Sequence, residues 1–374
     1  MKKTTLILTI SAALGASSYA APFLAVGDNA EVFITGQAGV RADTNIYLTH
    51  EAESDAVFDF TPGLEFDFGK NSNTQGLIRF AEKLTAYSNH SDLNSNLASA
   101  AFKADYEDGK SKAGVNVGYD ELNQNSVDAQ SGGDFLIRNN VFVSGITGEV
   151  SVTEKTTIAA GADYRWVDYR RTGFTDSESV SLPIHYYYEL TPKVDIGLGY
   201  RYRSTWLQFG EDSTDHFFSV SARGDFTPKL SGNVDVGLTQ RRFSHVANTS
   251  LLGVDASLTY AVSPKTNVNF GASSGFDTNS QAEQQKNLSF NAQVTTALSD
   301  VWLVTAGASY RTINYYQLTT PRTDDYAEAQ LSTNYTINAY ANISVGITHR
   351  RNQSDLISSD FDGTVVSFVA NLRF

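Results

Sequence analysis

Six arginines are the residues whose type and spacing most suggest chemistry. Arg165, Arg201, Arg203, Arg241, Arg311 and Arg350 each stand near the end of a segment of alternating apolar and polar residues, on its polar side. The guanidinium stays charged and presents a planar fork that fits a carboxylate or phosphate. Gathered at the mouth of a pore, such a set would guide or select an anionic solute. The same residues would serve equally as partners of acids on neighbouring segments, and both roles are open. Lysines go elsewhere: Lys70, Lys110, Lys112, Lys155, Lys193, Lys229 and Lys265 fall in or beside short turns. There they suit anionic lipid headgroups or plain solvent.

A search for an activated nucleophile yields little. Ser181, His185 and Glu189 share one parity at spacing four, but four extended residues span roughly 13 Å, too far for a hydrogen-bonded triad. His90-Ser91-Asp92 is a loop tripeptide whose side chains do not naturally converge. The chain has no cysteine, so a thiol nucleophile, a thiolate metal site and a disulfide are all excluded. The acid-rich loops (Glu51, Glu53 and Asp55; Asp355, Asp360 and Asp362) lack the spacing of a defined calcium loop. They suit divalent cations bridging to lipopolysaccharide phosphates. The expectation is no enzyme and no cofactor. A net charge of −13, or −15 once Lys2 and Lys3 are lost, argues against nucleic acid as a partner.

The elements that carry the arginines have period two, the signature of strands with one apolar and one polar face. Leu252, Val254, Ala256, Leu258, Tyr260 and Val262 alternate with Gly253, Asp255, Ser257 and Thr259. Eighteen such segments are expected, at 31–41, 56–68, 76–87, 97–106, 112–120, 141–151, 156–168, 178–190, 193–203, 215–226, 231–242, 250–262, 265–276, 287–298, 301–312, 325–337, 340–350 and 363–374. Sixteen is the second choice, because the first and third are blurred and Glu82 sits on the wrong parity. Short turns such as "TPK" and "SPK" alternate with long loops. That is the layout of an outer-membrane barrel, with turns periplasmic and loops outside. No helix or second sheet is present to cover so many apolar faces, whereas lipid can, and closure removes the free edges.

The fold class is therefore all-β: a transmembrane antiparallel up-and-down β-barrel of about 18 strands. Residues 1–20 read as a secretory signal peptide and 21–374 as the barrel. Phe226, Tyr260, Trp302 and Tyr335 near the turns, and Tyr119, Trp166, Tyr202 and Tyr310 near the loops, suit the two membrane interfaces. Charge at Leu198 should be costly, whereas Gly197→Ser or Asp195→Asn should be mild. Loop 121–140, long and glycine-containing, is the best candidate for folding inward as a constriction.

Two stretches carry a family resemblance. "DTNIY" at 43–47, followed by "SDAVFDFTPGLEFDF" at 54–68, is similar to the opening of the putative β-barrel porin 2 family, and the strand–"TPK"–strand hairpins are similar too. The closing alternation through Val366, Phe368, Ala370 and Leu372 to Phe374 resembles the C-terminal signal that the barrel assembly machinery reads. The resemblance implies a bacterial outer-membrane location and an exit port for exopolysaccharide or capsule. It implies as partners outer-membrane lipid and lipopolysaccharide, the assembly machinery, anionic polysaccharide and periplasmic export components. It brings no catalytic residues. A general small-solute diffusion porin and a non-conducting structural or adhesion barrel are the alternatives.

Overall fold

The computed structural model describes residues 21–318 and 320–374, and the signal peptide expected at 1–20 lies outside them. A short segment, β1 (Leu24–Val26), leads into β2 (Ala30–Asp43), β3 (Asp55–Phe68), β4 (Thr74–Tyr87), β5 (Ser95–Glu107), β6 (Ser111–Asn123) and β7 (Arg138–Thr153). Then come β8 (Thr156–Tyr169), β9 (Ser177–Thr191), β10 (Val194–Leu207), β11 (Ser213–Asp225), β12 (Leu230–Phe243) and β13 (Thr249–Ser263). The chain ends with β14 (Thr266–Thr278), β15 (Gln284–Ala297), β16 (Trp302–Tyr316), β17 (Arg322–Asn338), β18 (Ala341–Ser354) and β19 (Phe361–Arg373). From β2 to β19 each strand pairs antiparallel with the next, and β19 pairs with β2. The result is a closed barrel of 18 strands, wide enough for an aqueous channel.

All eighteen expected strands are present, so the sixteen-strand alternative is set aside. Most run further toward the loops than the alternation suggests; β10, for instance, continues to Leu207. The two parities separate as expected. Leu198, Val220 and Leu252 are 65–66% exposed on the outer face, while Ser219, Ser221 and Asp235 are buried on the inner one. Glu82 keeps the outward parity and stays exposed. It lies beside an irregularity: the β3–β4 ladder breaks between Phe60↔Leu84 and Gly63↔Ala81, where Pro62 has no N–H to give.

The periplasmic turns are fixed locally. Thr191 Oγ1 accepts from the Lys193 and Val194 amides at 3.3 and 3.1 Å. Thr227 does the same for Lys229 and Leu230 at 3.2 and 3.0 Å. The hydroxyl mimics a backbone turn, and the proline after it sets the bend. This is why "TPK" recurs.

Closure is completed by the final residue. Phe374 and Ile34 exchange both backbone hydrogen bonds, at 2.8 and 2.9 Å, one step past the last registered pair Arg373↔Thr35. β1 then hooks onto the remaining edge of β2 through Leu24↔Val32 and Ala25↔Glu31. One expectation fails. A Cβ at Gly197 would meet the Tyr186 carbonyl oxygen at 2.4 Å and the Tyr187 ring at 2.8 Å, so Gly197→Ser is not mild.

Candidate functional site: the outer mouth

The loop joining β6 to β7 folds into the lumen and reaches the far wall. In a ring of 18 strands, β15 and β16 lie opposite β6 and β7. Asp128 of this loop nevertheless accepts both terminal nitrogens of Arg311 on β16, one of them at 2.9 Å. Its carbonyl accepts from Ser280 N at 3.0 Å, in the loop between β14 and β15. Gln130 Nε2 donates to the Ser359 carbonyl at 3.2 Å, next to β19. Burial pushes the Asp128 carboxyl up, but the charge and hydrogen bonds of Arg311, aided by Arg165, outweigh it and hold the group below its ordinary range.

The loop base is held by the "DTNIY" stretch. Asn125 Nδ2 donates to the Tyr47 carbonyl at 2.7 Å. Asn45, fully buried, donates to the carbonyls of Thr49 and Asp362 at 2.8 and 2.9 Å and accepts from Thr49 N. Ile46, Tyr47, Val57, Tyr87, Leu93 and Leu136 pack together into an apolar knot under these bonds. A buried apolar cluster of this kind ties three loops to one side of the mouth.

The following "SD" explains itself in the same region. Buried Asp55 accepts from the amides of Ala56, Asn89 and His90, and from His90 Nδ1 at 2.8 Å. His90 Nε2 lies 2.7 Å from Glu53 Oε1. The hydrogen bond to Asp55, then that to Glu53, raises the His90 pKa above its ordinary value. Set between the two carboxylates, His90 clamps the β2–β3 loop to the β4–β5 loop.

The six arginines are placed as follows. Arg203 and Arg241 both grip Asp215 on β11, Arg241 through Nε and Nη2 at 2.7 and 2.9 Å with its side chain 1% exposed. Arg241 also donates to the Asp277 carbonyl and Gln284 Oε1 at 3.0 and 2.7 Å. These bonds draw the β14–β15 hairpin inward, and β13 pairs with β14 only from Val254↔Ser274 downward. Arg201 meets Asp255 at 3.1 Å, and Arg350 meets Asp43 at 3.5 Å. Arg165 adds its charge to the field at Asp128. Arg203, Arg241, Arg311 and Arg165 therefore converge on the tied loops, while Arg201 and Arg350 sit within wall pairs.

No hydrolytic triad forms on β9. His185 turns to Asp235 on β12 at 3.2 Å, and Ser219 and Ser221 donate to that same carboxylate rather than to the imidazole. Sequence reasoning missed Asp128 and Asp215, the acids that organise the mouth. The parity of 215–226 could have found Asp215, which shares the inward side with Ser219 and Ser221, but nothing local distinguishes Asp128 from other loop acids.

No curated protein matches the sequence. Among solved structures, OpdQ of Pseudomonas aeruginosa is similar at a TM-score of 0.49 and 11% identity, covering 92% of this chain and 97% of that one. OccAB3 of Acinetobacter baumannii gives 0.49 and 9%, with 93% and 100% covered. OpdK of P. aeruginosa, solved with vanillate, gives 0.48 and 10%, with 92% and 99% covered. The family described as putative β-barrel porin 2 matches residues 37–374. The chain belongs to the putative β-barrel porin 2 family, and its place is the bacterial outer membrane.

Proposed function

We propose that the barrel is a passive channel for hydrophilic saccharide, with exopolysaccharide chains as its principal cargo. The observation that carries this reading is an uncharged wall. From β14 to β18 the inward parity below the mouth is dominated by amides and hydroxyls, including Asn269, Asn291, Gln293, Gln330, Asn334 and Asn342. Some form a chain across strands: Gln37 donates to Asn371, Asn371 to Asn342, and Asn334 to Asn342, each at 2.9 Å. At Gly271 a Cβ would meet Asn291 Oδ1 at 2.2 Å, so the glycine lets that amide lie flat against the wall. Amides offer both donors and acceptors to sugar hydroxyls. They bind without the strength of a fixed charge, which suits a solute that must also leave.

Ion pairs gather on the other wall, as in Arg223, which joins Asp195 at 2.9 Å and Glu149 at 2.8 Å. The arginines at the mouth are proposed to line the path there. Lysines at the turns face phospholipid headgroups, acidic loops face lipopolysaccharide, and Phe374 serves the assembly machinery.

The test is planar-bilayer recording with neutral oligosaccharides added to one side. Length-dependent current block, weakened by Asn291→Leu with Gln330→Leu, supports the reading. A conducting pore indifferent to saccharides leaves a general diffusion porin, and a barrel without conductance leaves a structural one.

A further inference from the structure

We infer that Asp128 is an internal stand-in for a solute carboxylate: a sugar acid binds Arg311 and Arg165, displaces Asp128 and releases the loop from the far wall. The inference rests on the channel reading and adds a ligand site and a gate to it.

The site is already shaped for a carboxylate. Arg311 meets Asp128 fork to fork, Nη1 on Oδ2 and Nη2 on Oδ1. That arrangement recognises any carboxylate, not this side chain in particular. The receiving groups also have donors to spare. Arg311 Nε, Arg165 Nη1 and Tyr315 Oη are buried without a hydrogen-bond partner. Buried donors normally find acceptors, and unpaired ones carry a free-energy cost. A carboxylate on a short tether uses two donors of Arg311 and leaves the rest. A carboxylate with vicinal hydroxyls, as in a uronic acid, carries acceptors for the remainder.

Displacement would matter because Gln285 Nε2, at 3.4 Å, reaches the same Asp128 carboxylate and would be lost with it, and the other ties of the loop to the far wall are neutral. They are the Ser280 amide at 3.0 Å, Gln130 to Ser359 at 3.2 Å and Gln281 to Gln130 at 3.4 Å. The charge-assisted pair is about twice as strong as each of these. Arg311 also differs from its fellows in the origin of its partner. Arg201, Arg203, Arg241 and Arg350 take carboxylates from strands, which hold their place, whereas Asp128 stands in a loop.

The chain has no cysteine, so spin labels can be placed cleanly. The full-length variant Ala129→Cys with Ile357→Cys, which keeps the Gln130 tie, is labelled and reconstituted and reports the distance from the loop to the β18–β19 rim. Galacturonate is the probe and galactose the control at equal ionic strength. Galacturonate should populate a second, longer distance, shifting the docked-to-released ratio by about 5–150-fold, the range of ordinary site-to-site coupling. Galactose should not. Asp128→Asn in the same background should show the longer distance without ligand, and Arg311→Gln should abolish the response to galacturonate. Equal effects of both sugars, or an Asp128→Asn loop that stays docked, would overturn the gate. Bilayer recording separates this from the channel reading: conductance that is blocked by neutral saccharide but identical in wild type and Asp128→Asn sinks the gate alone.

Discussion

Asp215→Ala should destabilise the barrel far more than Asp255→Ala, although each removes one inward carboxylate next to an arginine. Asp215 accepts four N–H groups, two from Arg241 at 2.7 and 2.9 Å and two from Arg203 at 2.9 and 2.5 Å. The Arg241 side chain is 1% exposed and that of Asp215 6%. Truncation therefore strands a guanidinium that water cannot reach, and breaking such a pair costs about 3–5 kcal/mol. The Arg201–Asp255 pair is 32% and 45% exposed. Water re-solvates both partners there, and the loss should be about 0.2–1 kcal/mol. Asp215→Asn should fall between, since it keeps an acceptor but not the charge. The assay is denaturant unfolding of the barrel in lipid vesicles, followed by tryptophan fluorescence and electrophoretic heat-modifiability. An unchanged slope with a lower midpoint assigns the difference to stability. Equal losses at the two sites, or a loss below about 1 kcal/mol for Asp215→Ala, would refute the claim that this pair is a desolvated anchor.

Four further outcomes are expected. Leu198→Arg, on the exposed lipid face, should cost about 2–4 kcal/mol if the residue lies near the bilayer midplane, whereas Asp195→Asn should cost under about 1 kcal/mol because Arg223 keeps Glu149; vesicle unfolding distinguishes them. The raised His90 pKa means the loop clamp is at full strength below the ordinary histidine range, near 6.5, and fades as pH rises through the raised value; an NMR titration that finds His90 at its ordinary value, or unmoved by Asp55→Asn, would contradict this. Deleting Phe374 should lower the yield of heat-modifiable, membrane-inserted protein more than it weakens barrels already inserted, and an undiminished yield would count against its closing role. Changing Arg201, Arg241 and Arg311 together to Gln removes three positive charges, leaving Asp255 and Asp128 without their paired arginines and Asp215 with Arg203 alone, so the reversal potential in a salt gradient should move toward cations; no movement would show that the field at the mouth is set elsewhere.

The fold was legible because lipid enforces a binary rule on every residue of a barrel strand. Leu252, Val254, Ala256 and Leu258 can only face outward together, and a slip by one would put Asp255 and Ser257 into hydrocarbon. Beyond the membrane the rule lapses. Strands such as β10 continue to Leu207 on backbone pairing alone, which is why their outer ends were read too short. The mouth was half legible for the same reason. Parity places the arginines inward, but not their partners. Arg311 and Asp128 are 183 residues apart, and Arg201 reaches across two strands to Asp255. A short turn transmits register from one strand to the next, as Thr191 does between β9 and β10. A long loop transmits none, so its contacts are a tertiary property.

This difference divides the barrel into two ends with different chemistry. The periplasmic end solves each turn within a few residues, by a side-chain oxygen that accepts from an amide (a hydroxyl in most, the Asp108 carboxylate and the Asn338 amide oxygen in two), so hairpins acquire their register from local sequence at little loop-closure cost. The outer end is solved between distant residues, by Asp215, Asp55 and Asp128 and by the knot around Tyr47. Closure belongs to neither. The β19–β2 ladder runs from Val365↔Asp43 to Arg373↔Thr35, leaving the start of β2 beyond its reach. Phe374 fills the next step by exchanging bonds with Ile34 and stacking on Tyr340, ring centroids 5.5 Å apart. β1 covers what remains of that edge. Phe374 thus pairs the seam and places its ring beside Tyr340 on the lipid-facing side.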